Sequence, residues 1–381
     1  MITPRGACPS LLAPMPTGDG LLVRLPALGL PPAAWVGLAK VAAAHGNGQI
    51  EITARGSVQL RGLTAATLAP LATALAALGI DGEASTLLAS NALAGHDSTM
   101  LADPRPITAA IAAGAPAAHA PKLSVVVDGG GALHLDAVAA DIRLRAQPGG
   151  ASWWLFLAEA YLGATPAPGE AALLLLACLG PTGRGRTLPP TEARAALGHL
   201  LHASPPPPAR PPAEPLGHHA EAFGVAAAFG QMRAETLGAF AQAAGTAPLL
   251  RAAPGRALLA IRPADPRALE AAAAALGLVT APGDPRRAVH ACPGAPACAS
   301  ALMPTRQLAE ASARQGIAGL HVSGCAKGCA HPGASRFTLV GAPGGFGLVR
   351  DGDARGTPGE HLTTAAALPR LLALQQGPHA T

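Results

Sequence analysis

Prolines at 205–208, 211, 212 and 215 interrupt the chain almost at its midpoint, in the run LHASPPPPARPPAEPLGHH from Leu201 to His219. With φ fixed and amide donors removed, such a stretch can neither continue a helix nor sit inside a sheet, so it must run extended and semi-rigid. It splits the 381 residues into two nearly equal halves, which makes an internal repeat the first thing to test. The first half reads GLLVRLPALGLPPAAWVGLAKVAAAHGNGQIEITARGSVQLRGL from Gly20, a strand, a helix and a strand pair starting at Gln49. The second reads FGVAAAFGQMRAETLGAFAQAAGTAPLLRAAPGRALLAI from Phe223 and repeats that order, with Leu250 and Arg251 falling opposite Ile52 and Thr53.

Each repeat continues into an amphipathic helix: Leu68, Leu71, Leu75 and Leu78 before Gly79, and Ala268 to Leu276 before Gly277. The order β-α-β-β-α predicts a ferredoxin-like unit used twice. A second α+β segment follows each unit. In the first, KLSVVVDGGGALHL predicts a hairpin about a Gly-rich turn; in the second, GLHVSGC and RFTLVGAPGGFGLV predict strands flanking two cysteines. His218 and His219 are expected in a loop. The class is therefore α+β, with expected domains at 1–80, 81–204, 217–281 and 282–381 and a linker at 205–216.

Half the residues are hydrophobic, enough for a sizeable core, and only 13% are charged. The net charge of +5 comes from scattered arginines, with lysines at 40, 122 and 327 alone, so no nucleic-acid partner is expected. The longest apolar run, Ala171 to Leu179, falls far short of the roughly 20 residues of a membrane helix, and the start MITPRGACPSLLAPMP lacks the continuous apolar stretch of a secretory signal. No membrane partner and a cytoplasmic location are expected.

Cys8 and Cys178 stand alone, whereas Cys292, Cys298, Cys325 and Cys329 are spaced C-x5-C, 26 residues, C-x3-C. In a reducing compartment such clustering favours metal ligation over disulfides. Four thiolates can hold zinc or an iron-sulfur cluster. The tight C-x2-C knuckles of structural zinc are absent, and so are the common ferredoxin runs. Burial as small apolar residues is a further reading, weakened by the Gly and Pro that flank both pairs.

The cysteine spacing resembles the cluster motif of the sulfite and nitrite reductase superfamily. That resemblance implies a fold of two ferredoxin-like half-domains and two α+β domains in pseudo-twofold repeat, with Cys292, Cys298, Cys325 and Cys329 holding a [4Fe-4S] cluster. ITARGSVQLRG (Ile52 to Gly62) is similar to the family's T-x-R-x-x-x-Q strand, matched by Thr53, Arg55 and Gln59. An Arg-Asn pair of the family appears as Ser90-Asn91, and a Lys-x-Lys strand keeps Lys122 but has Ser124 for its second Lys. Two of the four cations that usually surround the anionic substrate are thus missing, which disfavours sulfite or nitrite reduction and the sirohaem that it requires; that reductase is the alternative reading.

RGACPSLLAPMPTGDGLLVRLP, GNGQIEITARGSVQLRGL, VDGGGALHL to DIRLRA and above all SGCAKGCAHPG resemble one branch of the superfamily, the precorrin-3B synthases of aerobic cobalamin synthesis. The resemblance implies a monooxygenase acting on precorrin-3A and O2, hydroxylating C20 and closing a γ-lactone. In such a site Arg55, Arg61 and Lys122 are candidates to meet substrate carboxylates, Gln59 and Asn91 are neutral donors, and Lys327 lies between two cluster cysteines. His96, His321 and His331 could ligate an additional non-haem iron, although no two-His-one-carboxylate spacing is visible. No G-x-G-x-x-G follows a strand, so electrons are expected from NADH acting directly or from a separate reductase.

Overall fold

A computed structural model describes residues 9–82 and 87–376; Cys8, at the chain start, lies outside them. The chain divides into a larger unit, 1–16, 21–226 and 232–276, and a smaller one, 17–20, 227–231 and 277–381. The segment expected at 282–381 thus begins a few residues earlier and gains two short pieces from elsewhere in the chain.

In the larger unit the two ferredoxin-like repeats form two sheets of identical design. One runs Met15–Thr17, Gly20–Leu25, Val58–Leu63, Gln49–Ile52, Gln231–Arg233; the other runs Gly217–His219, Ala222–Ala226, Ala257–Ile261, Leu249–Ala253, Gly29–Leu30. Each repeat therefore lends its last strand to the other's sheet, a reciprocal exchange that no local pattern signals. His218 and His219 lie in a strand, contrary to expectation, because they pair with Phe223 and Ala222. The hairpin registers also correct the repeat alignment. Ile52 pairs with Val58 and Ala252 with Leu258, so Arg251 is the counterpart of Glu51, not of Thr53.

Val125–Asp128 and Ile142–Ala146 run parallel, so KLSVVVDGGGALHL is not the expected hairpin. The reason is the buried Asp128, whose Oδ1 accepts from Gly130 N (2.9 Å) and whose Oδ2 accepts from Leu135 N (3.2 Å). These bonds curl 129–135 into a loop before a second strand can form. Their sheet runs Ala160–Thr165, Trp153–Leu157, Ile142–Ala146, Val125–Asp128, Leu88–Ser90, over a core containing Val125, Ile142, Leu155 and Leu175. The apolar run 171–179 supplies that core from helix Pro168–Leu179, and no described helix is long and apolar enough to cross a membrane.

The proline linker has no regular structure, but it is strapped down. Trp154 Nε1 donates to Pro205 O (2.9 Å), Tyr161 OH to Ser204 O (2.7 Å), and Arg210 bridges Asp128 (2.6 Å) and Asp136 (2.6 Å). Prolines leave carbonyls as the only backbone groups to fasten, and the domain supplies donors to them.

Asp141 closes the same domain by accepting from Arg184 Nε (2.8 Å) and Nη2 (3.0 Å), Gly185 N (2.9 Å) and Ser124 N (3.0 Å). Burial alone would raise its pKa, but the bonds from Arg184, Gly185 and Ser124 and the Arg184 charge hold it below the usual carboxylate value. A carboxylate depressed in the folded state stabilises above its unfolded pKa of about 3.9 and loses that contribution as pH falls through the folded value. Asp141→Asn is therefore expected to melt earlier at pH 7 and to lose less stability than the parent between pH 5 and the acid limit, as thermal melts across that range would show.

Candidate functional site

In the smaller unit the sheet order is Val289–Ala291, Leu320–Ser323, Ser335–Ala342, Gly345–Gly352, Glu360–Thr363, and the first two strands are parallel, with Ala291 beside Val322. Parallel neighbours end on the same side, so the loops that follow them emerge together. Cys292 and Cys298 lie on the first loop, Cys325 and Cys329 on the second. This is how tertiary structure joins C-x5-C to C-x3-C across 26 residues of sequence. All four are free of disulfides; Cys292 is buried, Cys298 and Cys325 are half-buried and Cys329 is exposed.

Two features suit these sulfurs to ligation. Gly324 N–H donates to Cys292 Sγ (3.1 Å), a bond that favours the thiolate. The Cys292 carbonyl is held by Thr305 Oγ1 (2.6 Å) and Arg306 Nε (3.2 Å), and Arg306 also reaches Ala228 O (3.1 Å) and Gln231 Oε1 (2.6 Å). Among the described residues the grouping whose ligand atoms all lie within 4.8 Å of one another is Asp128, His134 and Asp136, and Arg210 already bridges those carboxylates. The thiols are not drawn so close. Four thiolates around one zinc, with bonds of about 2.3 Å, would be, so the donor set fits a polynuclear group better than a single ion.

The loops are fastened to each other and to the turn at 17–20. Lys327 Nζ donates to Ser300 Oγ (2.6 Å), linking the Cys325–Cys329 loop to the residue two beyond Cys298. Ala299 N donates to Gly18 O (2.8 Å), and a side chain at Gly18 would collide with Cys298 Sγ. His321 and His331 are brought together with His290: the rings of 290 and 331 stack at 4.3 Å, and 321 meets 331 edge-on at 5.9 Å. His321 is fully buried, with neither ring nitrogen hydrogen-bonded among the described residues. Burial, followed by the charges of His331 and His290, pushes it down to about 4, so it is neutral at physiological pH. His96 belongs to the other unit.

The first-half candidates lie in the larger unit. Gln59, 6% exposed, is not a free donor: oriented as its neighbours require, its oxygen accepts from Arg24 Nη2 (2.7 Å) and Nε (3.0 Å), and its nitrogen donates to Glu51 Oε2 (2.5 Å). Glu51 in turn pairs with Arg61 (3.3 Å), so Arg61 already has a carboxylate. Arg24, Gln59, Glu51 and Arg61 make a charge ladder across three strands, and alternation along those strands is the signal that could have revealed it. Arg55 sits on the loop between paired strands, half-buried, its backbone bridged to Pro254. Gly56 permits that contact: its φ is +83°, and a Cβ there would lie 2.8 Å from the Ala253 carbonyl carbon. Lys122 is exposed at a turn with φ of 62°. Ser124, where the family's second Lys would stand, is buried and donates inward to Asp141.

Asn91, expected as a donor to substrate, is spent inside the protein. Its Nδ2 is shared among Asp128 Oδ1 (2.8 Å), Gly130 O (3.1 Å) and Leu133 O (3.2 Å), and its Oδ1 accepts from Gly129 N (2.7 Å). The last bond exposes the repeat. Asn91 follows the first parallel strand of its sheet and takes the N–H that follows the second; Cys292 does the same with Gly324. Asn91 is thus the counterpart of a cysteine ligand, converted to a structural pin.

Residues 13–78 match the nitrite/sulfite reductase ferredoxin-like half domain. The fold is similar to that of the NirA protein of Mycobacterium tuberculosis, with a TM-score of 0.68 over 90% of this chain and 77% of that one, at 18% identity. A precorrin-3B synthase from a Sinorhizobium species is 41% identical over 96% of this chain and 88% of its own length. The chain belongs to the precorrin-3B synthase family. Membership makes it an enzyme of the cobalamin route on a nitrite/sulfite reductase-like fold and sets aside the sulfite or nitrite reductase alternative. The losses at Ser90 and Ser124 are consistent with it. In a precorrin-3B synthase the anion-reducing charges have no task, and both positions have turned into hydrogen-bonded interior.

Proposed function

We propose that the protein hydroxylates precorrin-3A at C20 with O2 and closes a γ-lactone from the ring-A acetate. One oxygen atom enters the macrocycle, the other leaves as water, and an external donor, NADH or a separate reductase, supplies two electrons. The observation that carries this reading is the 41% identity to a precorrin-3B synthase over nearly the whole chain.

Cys292, Cys298, Cys325 and Cys329 would hold a [4Fe-4S] cluster, which when bound supplies one-electron storage and transfer. The chain's own part is positional. Gly324 N–H offsets charge on the Cys292 sulfur, Thr305 and Arg306 fix its backbone, and Lys327 places a cation between Cys325 and Cys329 while tying the two loops together. An additional non-haem iron would find imidazoles at His290, His321 and His331, whose rings must turn to share an ion. On the substrate side, Arg55 and Lys122 are the proposed carboxylate contacts. Arg61, Gln59 and Asn91 support them from behind, through the Glu51 ladder and the Asp128 loop.

Iron, acid-labile sulfide and extractable tetrapyrrole in anaerobically purified protein, followed by an O2-dependent assay on precorrin-3A, test this reading. About four iron and four sulfide without sirohaem are expected, with hydroxylated product forming only when O2 and a reductant are present; stoichiometric sirohaem would defeat it. Thr305→Val removes one bond to the Cys292 carbonyl and is expected to cost about 1–3 kcal/mol for the acceptor left underserved. Iron retained through gel filtration should fall, while far-UV circular dichroism stays unchanged.

A further inference from the structure

Arg251 has no counter-charge. It sits mid-strand in Leu249–Ala253, paired to Leu259 on one side and Gly29 on the other, and its side chain runs back over Gly29. Of its five N–H donors, only those on Nη1 have partners among the described residues, the carbonyls of Ala92 (2.8 Å) and Ala94 (3.5 Å). Arg61, Arg184, Arg210 and Arg286 each meet a carboxylate, and Arg143, which also bonds carbonyls only, feels the charges of Asp136, Asp128 and Glu159. Burial lowers the pKa of Arg251, and the charge that adds to the effect is another cation, Arg105. A guanidinium does not shed its proton at physiological pH, so a partly buried one without an anion is an unpaid cost unless an anion arrives from outside.

The surroundings match. Ala92 and Ala94 lead directly into His96, whose Nδ1 is buried without a partner and which feels the positive charges of Arg251, Arg262 and Arg105. Arg105 and Arg262 are neutralised by Asp103 and Glu221, which leaves the surplus charge on Arg251. His96, Asp97, Ser98 and Met100 line a cavity of about 410 Å³. The loop carrying Arg55 abuts the turn that follows Arg251, with Gly255 N donating to Ala54 O (2.9 Å) and Arg55 bridged to Pro254.

We propose that Arg251, with His96 beside it, is a carboxylate-binding residue that receives an acetate or propionate side chain of the tetrapyrrole substrate; this rests on the function proposed above. The arginine presents a planar fork that a carboxylate can meet with two parallel bonds. The substrate would bring the missing anion with it, so this residue favours polycarboxylated macrocycles over their esters.

The test uses the full chain, with uroporphyrin III as a stable polycarboxylate tetrapyrrole, its octamethyl ester, and inorganic phosphate as probes. Arg251→Met keeps the bulk and removes the charge; Arg251→Lys keeps the charge and removes the fork. Arg251→Met is expected to bind uroporphyrin about 10- to 100-fold more weakly, the effect of losing a charged hydrogen bond, while Arg251→Lys falls between and ester binding is unaffected. Its melting temperature without ligand should stay level or rise, because an uncompensated charge has been removed. Unchanged uroporphyrin affinity with a lowered melting temperature would overturn the proposal, leaving Arg251 a pin for the 92–94 turn. Stabilisation by phosphate that Arg251→Met abolishes, with uroporphyrin affinity unaltered, would also overturn it in favour of a free-anion site. Failure of the parent protein to bind any of the tetrapyrroles defeats instead the functional reading on which the proposal rests, and it is recognised without any variant.

Discussion

Cys292→Ser is expected to drop the iron recovered after anaerobic reconstitution from about four per chain to below one, to remove the visible absorption of the cluster and to reduce O2-dependent conversion of precorrin-3A to background. Among the four cysteines this one is the most enclosed, at 8% exposure, and its geometry is the most constrained. Its sulfur accepts from Gly324 N, its carbonyl from Thr305 and Arg306, and its strand runs parallel to the one that delivers Cys325. A hydroxyl there is a poor soft-metal ligand and sits too near its own Cβ to reach as far as a sulfur. Cys178→Ser is the control, since that cysteine lies exposed on helix Pro168–Leu179, and it should leave iron and activity unchanged. Full iron content in Cys292→Ser would remove this residue from the ligand set.

The largest loss of stability is expected from Asp128→Ala, about 3–5 kcal/mol in denaturant unfolding. Asp128 is fully buried and binds Arg210 of the linker, Asn91, Gly130 and Leu135 at once. Its removal strands the Arg210 guanidinium, frees the Asn91 amide and releases the loop that replaced the expected hairpin. Arg210→Ala removes one of the same partners but leaves Asp128 its bonds from Asn91, Gly130 and Leu135, so its cost should be the smaller of the two. Equal and small effects for both would mean that the linker is not fastened through this pair.

Periodicity was enough to read the doubled β-α-β-β-α order, because each of those elements is specified by its own apolar spacing. The helices Pro32–His45 and Ala234–Ala243 and both strand pairs stand where that spacing puts them. The same reasoning failed where a distant partner decided the outcome. Gly29–Leu30 and Gln231–Arg233 are too short to register as strands, and they exist because the opposite repeat offers them an edge. The 129–135 loop is apolar enough for a strand, yet Asp128 and Asn91 bend it away.

Candidate residues divide in the same way. The cysteine quartet was legible because ligand type and spacing are local facts, and family membership followed from runs such as SGCAKGCAHPG. The environment of each polar group was not, since burial and partners are properties of the fold. Gln59 and Arg61 lie inside a ladder, and Asn91 occupies the place that Cys292 holds in the other half. By itself the sequence determined the class, the repeat and the thiol ligand set, all of which arise from contacts close along the chain. Only the tertiary structure decided which strands are exchanged, which donors are already spent, and that Arg251 stands without an anion, because those depend on groups that meet only after the chain has folded.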